Sequence, residues 1–153
     1  MRMFMNVKLT KFTKYVLDIM FFGGILVLIT LPVILKLLGK YYSEAIDENF
    51  FLMLAIMGVA GVLGILIIWQ LRKMMKTVLE ESCFVYENVQ SLNRMAVLSL
   101  VISVLFIMKL CLLPTPATGI IVLVFFIAAL FSEVLSHVFA QAVSYKEEND
   151  FTI

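Results

Sequence analysis

The chain has 153 residues, of which 63% are hydrophobic and 15% charged, and its formal net charge is +1. A water-soluble domain averages about half apolar and a quarter charged residues, and one of this size has too little interior to hide such an excess. The balance excludes an ordinary soluble globule, leaves no charge footprint for direct nucleic-acid binding, and points to lipid as the solvent of a single domain, in keeping with a mean hydropathy of +1.06.

Four apolar stretches follow one another, at about 15–38, 50–70, 95–113 and 120–139. Each approaches the ~20 residues that cross a ~30 Å hydrocarbon core as a helix. Spanning backbone must satisfy its own hydrogen bonds, and no alternation of polarity suggests a closed barrel. An all-α, four-helix membrane bundle is the predicted fold. The first stretch has a basic start at Arg2, Lys8, Lys11 and Lys14, as a signal peptide would. Its apolar run is too long for one and no small-x-small cleavage site follows, so a retained helix is expected. Pro32 within it predicts a kink, because the carbonyl of Leu28 loses its donor. Lys36 is expected to snorkel to the interface.

The connections set the orientation. Arg2, Lys8, Lys11 and Lys14 precede the first helix, and Arg72, Lys73, Lys76 and Arg94 lie between the second and third. The segment 114–119 carries no basic residue, and 40–49 sets Lys40 against Glu44, Asp47 and Glu48. Basic segments stay in the cytoplasm, so both termini are expected there, with 141–153 as a cytoplasmic tail. Pro114 and Pro116 make 114–119 a tight turn, which makes the third and fourth helices antiparallel neighbours. The connection 72–94 reads as amphipathic, with Met74, Met75, Val78 and Leu79 opposite Lys73, Lys76, Glu80 and Glu81. It is expected to extend the second helix, turn at 82–84 and lead into the third. Cys83 and Cys111 then fall at opposite faces, and no disulfide is expected.

Polar residues at membrane depth are costly and raise a functional hypothesis. Glu133 and His137, spaced i, i+4, share a face of the fourth helix. Beside them run Ala128, Ser132, Ser136 and Ala140, a small-residue stripe suited to close helix packing, with Ser99 and Ser103 of the third helix as its counterpart. The acid–imidazole pair reads either as part of a packed seam or as a proton- or cation-responsive site. Two such groups are too few for a metal site. Asp18 and Arg94 lie at a similar depth, and an Asp18–Arg94 or Glu133–Arg94 pair competes with snorkelling of both to water. Lys109 is expected to reach the outer interface. Gly58, Gly61 and Gly64 of the second helix suit close packing within the bundle or between subunits. No P-loop, HExxH or GxSxG motif is present, no cofactor is implied, and an enzyme is not expected.

Two segments carry a resemblance. The F-x-x-E-N run at 84–88 and the closing K-E-E-N-D-x-T-I run at 146–153 are similar to those of the bacterial membrane proteins grouped as domain of unknown function 2975, the YoaS-like proteins. Phe151 stands where that family commonly has Leu. The resemblance covers essentially the whole chain. It implies a bacterial plasma-membrane protein, often encoded beside a small helix-turn-helix regulator, and supplies no activity or catalytic residue.

Both segments fall on the expected cytoplasmic side. Phe84, Glu87 and Asn88 with Lys146, Glu147, Glu148, Asn149 and Asp150 are either solvated helix ends or a docking surface. A third arrangement folds the tail back, with Asn149 and Asp150 capping the helix start near 82–86. Two functions from different classes remain. One is an interaction or regulatory module whose cytoplasmic face binds a partner such as the small regulator. The other is a small transport, sensing or immunity-type protein using Glu133 and His137, with Asp18 and Lys109. The expected partners are the bilayer, a cytoplasmic regulator and a second copy of the chain.

Overall fold

The computed structural model describes residues 7–41, 48–80, 84–112 and 114–151. They form four helices, α1 (Val7–Tyr41), α2 (Phe50–Leu79), α3 (Tyr86–Leu112) and α4 (Pro116–Phe151). All four are long and apolar enough to cross a bilayer. The chain is a multi-pass membrane protein with four transmembrane helices. Large apolar side chains such as Ile19, Ile29, Phe51, Ile120 and Phe131 point outward, which only a lipid environment tolerates on this scale.

The helices are longer than their apolar cores. α2 continues through Arg72, Lys73 and Lys76, and the expected tail is helical through Phe151. Residues 141–150 hold no Gly or Pro, and the Ala, Lys and Glu among them favour helix. The tail therefore prolongs α4 and does not fold back on the start of α3. α1 also runs through Pro32 as one helix, where Thr30 Oγ1 donates to the carbonyls of Leu26 and Val27 at 3.1 Å each.

Helices pack in chain order, α1 on α2, α2 on α3 and α3 on α4, with α3–α4 the most extensive contact. Among the described residues no Cα of α1 comes within 8 Å of a Cα of α4. The array is open between α1 and α4, an adjacency that the sequence reading leaves unassigned. Lipid tails solvate an apolar helix face as well as another helix does, so nothing drives closure of the fourth seam.

Antiparallel register is fixed by named contacts. Between α1 and α2 they run from the Phe21–Trp69 rings, 5.7 Å apart, to the cluster of Leu31, Leu35 and Met53. Gly61 allows the approach: a Cβ there would stand 2.9 Å from Leu28 Cδ1. Gly58 and Gly64, expected to share that role, face open space. Ala60, Ile102 and Phe106 join α2 to α3, and Ile121, Val122 and Phe125 of α4 pack on them. Along α3–α4, Ser99, Ser103, Ser132 and Ser136 are buried, as the small-residue stripes predict. Ser103 Oγ donates to the carbonyl of Val122 at 3.2 Å.

The α3–α4 turn is built by its own residues. Thr115 precedes Pro116 at the first helical position, and its Oγ1 accepts the backbone N–H of Thr118 at 3.3 Å. Lys109 is buried and its Nζ donates to Thr118 Oγ1 at 2.8 Å, while Thr118 and Thr115 share a 2.6 Å hydroxyl contact. This corrects the expectation that Lys109 snorkels outward. The polar turn lies within reach across the hairpin and satisfies the ammonium internally. Cys111 is a free, exposed thiol near this end, and Cys83 lies outside the described residues.

Candidate functional site: a charged layer at the basic end of the spans

Asp18 is paired with Arg72, whose Nε donates to Asp18 Oδ1 at 2.8 Å. This replaces the Asp18–Arg94 pair considered from sequence. α2 continues as helix past its apolar core, so Arg72 is carried one helix away from Asp18 while Arg94 is two away. The guanidinium is held on its other sides by rings. Its Cζ lies 4.6 Å from the Phe21 centroid, 5.6 Å from that of Phe22 and 5.7 Å from that of Trp69. Such cation–π contacts strengthen as water is excluded.

Extending the register across the array places Asp18, Arg72, Arg94 and Glu133 at one height. From Asp18, Lys36 near the other end of α1 is about 27 Å away at ~1.5 Å per residue. That separation is comparable to a ~30 Å hydrocarbon core. Asp18, Arg94 and Glu133, three of the polar residues singled out from sequence, thus lie near one level, and Arg72 joins them.

Their partners differ. Glu133 Oε1 and His137 Nε2 lie 3.2 Å apart, with side chains 49% and 76% exposed. They face away from the array, whereas Ser132 and Ser136 beside them form the seam. Ser136 Oγ donates to Asn93 Oδ1 at 3.0 Å, with the carbonyl of Val89 at 3.2 Å. No ion pair joins Arg94 to Glu133 or Asp18 among the described residues. Arg94 instead lines a cleft with Gln70, Asn93 and Val97. Gln70 is buried in that cleft and its Oε1 has no hydrogen-bond partner. No metal-binding group of three or more His, Cys, Asp or Glu exists among the described residues.

Beyond the layer the expected interaction surface divides. Asn88 is buried, and its Nδ2 donates to Thr77 Oγ1 at 2.8 Å, which in turn donates to the carbonyl of Met74 at 2.6 Å. It ties the end of α2 to the start of α3 and is withdrawn from any docking surface. The ring of Phe84 packs 5.3 Å from that of Phe139. Glu87 is exposed at the start of α3, and Lys146, Glu147, Glu148 and Asn149 are exposed on α4. The side chain of Asp150 lies outside the described residues. From Phe139, level with the start of α3, α4 runs on for about 18 Å.

Sequence reasoning missed Arg72, Gln70 and Thr77. Arg72 and Thr77 stand on the helical extension of α2 that the spacing of Met74, Met75 and Val78 predicts, but that spacing names no partner for either.

The chain matches none of the curated proteins and none of the solved structures. A family model described as "Protein of unknown function (DUF2975)" matches residues 4–153. With that match covering nearly its whole length, the chain belongs to the DUF2975 family of membrane proteins of unknown function.

Proposed function

We propose that this protein is a non-enzymatic membrane interaction module whose basic end faces the cytoplasm and binds a protein partner there. The observation that carries this reading is α4. It is the longest helix, 36 residues, and it outruns its neighbour α3 as a projecting arm. The arm exposes Tyr145 together with Lys146, Glu147, Glu148 and Asn149. A helix that runs on past the start of α3 with 144–149 exposed offers charge of both signs and an aromatic anchor, the composition that partner surfaces use. The bias of Lys and Arg supports the orientation: Lys8, Lys11, Lys14, Arg72, Lys73, Lys76 and Arg94 all lie at or beyond the charged layer. A small helix-turn-helix regulator is the partner that the family resemblance suggests, held off DNA by capture at the membrane.

Crosslinked pull-down from native membranes tests this. The full chain should recover a cytoplasmic protein that is lost from a variant lacking 146–153, with both variants equally abundant in the membrane. Identical recovery by both would contradict it, as would unchanged distribution of the regulator in a deletion strain.

A second reading, sensing or transport at Glu133 and His137, is favoured by their exposure at the membrane boundary, where protons reach them. Under it, Glu133→Gln abolishes a pH- or ion-dependent phenotype while leaving partner recovery intact.

A further inference from the structure

The cleft between α1 and α2 at the charged layer has a composition that neither reading uses. It has a volume of about 410 Å³ and is lined by Lys14, Arg72, Lys73 and Lys76 on its polar side, with Asp18 the carboxylate among them. Asp18 is already paired with Arg72, and it takes the Nε–H only, leaving the other N–H donors of the guanidinium. The three lysines have no carboxylate partner among the described residues. Leu17, Trp69, Met75 and Leu79 complete the wall with apolar surface. Positive charge thus stands over an apolar floor at the height where the hydrocarbon ends.

We propose that this cleft binds an anionic phospholipid, its phosphodiester on Arg72 and the three lysines and its glycerol and upper acyl carbons against Leu17 and Trp69. Basic pockets between transmembrane helices at an anionic leaflet recognise such headgroups by charge. Arg72 is the fixed element, because Asp18 and the rings of Phe21 and Trp69 hold its plane. The lysines are exposed and adjust to the second phosphate oxygen. A soluble anion would gain nothing from the apolar wall, which favours the lipid over free phosphate.

Native mass spectrometry of the full chain in mixed micelles tests this, with phosphatidylglycerol and phosphatidylcholine of identical chains as probes. We expect about a fivefold preference for phosphatidylglycerol, reduced to near parity in Lys14→Gln/Lys73→Gln/Lys76→Gln. That variant leaves Asp18–Arg72 intact, and Lys76→Gln alone should give a partial loss. The charge-matched Lys8→Gln/Lys11→Gln/Lys146→Gln, whose residues line no part of the cleft, should keep the preference. An absent preference in the wild type, equal loss in both triple variants, or displacement of the lipid by inorganic phosphate would each overturn the proposal.

Discussion

At the scale of single residues, the polar groups inside the spans are decided by their partners. Lys109 and Thr118 make one buried contact, and the two ends are not equivalent. Removing the hydroxyl in Thr118→Val takes away the hydrogen-bond partner of a buried ammonium, which costs about 3 kcal/mol. Lys109→Met removes the charge with its need for a partner, so we expect the Thr118→Val protein to melt well below it in a thermal scan in detergent. Equal melting temperatures would show that the ammonium finds another partner. Gln70 presents the opposite case. Its Oε1 is buried and unpaired, so Gln70→Leu should raise stability by about 1 kcal/mol, read from the same scan. A loss on that substitution would mean that the cleft supplies a donor to Gln70. The Glu133–His137 pair was legible in the sequence from its i, i+4 spacing, but the partner of Asp18 was not. Whether Asp18 meets Arg72 or Arg94 depends on which helices touch, and hydropathy carries no such information.

At the scale of elements, the four spans were legible because each is a long apolar run whose backbone has no alternative to helix in lipid. Their ends were less so. The extension of α2 past Arg72 follows from helical spacing, but α4 also continues as helix through Lys146 to Glu148, about 20 Å beyond Glu133, where a separate tail was expected. The glycines of α2 show a related limit. Three were equivalent by spacing, yet only Gly61 stands under a side chain of α1. Gly61→Leu should therefore separate α1 from α2 while Gly58→Leu is tolerated. Crosslinking between cysteines placed at Phe21 and Trp69 reads this, with yield lost only in the Gly61 variant. Equal yields from both would place the contact elsewhere.

At the scale of the whole molecule, the four helices form an open array in chain order. α3 and α4 form a tight hairpin locked at both ends, by Lys109–Thr118 at the turn and by Ser136 against Asn93 at the basic layer. α1 rests on α2 alone. This arrangement leaves the Glu133–His137 face and the far side of α1 to lipid or to a second copy. It also gathers the charge, the α1–α2 cleft and the projecting arm of α4 at one end, so the proposed function depends on which side of the membrane that end faces. The most direct measurement is labelling of single cysteines by an impermeant maleimide in a chain with Cys83 and Cys111 replaced by Ser. We expect Ala117→Cys, at the α3–α4 turn, to react in intact cells, and Tyr145→Cys, on the arm, to react only after permeabilisation. Labelling of Tyr145→Cys in intact cells would contradict this orientation.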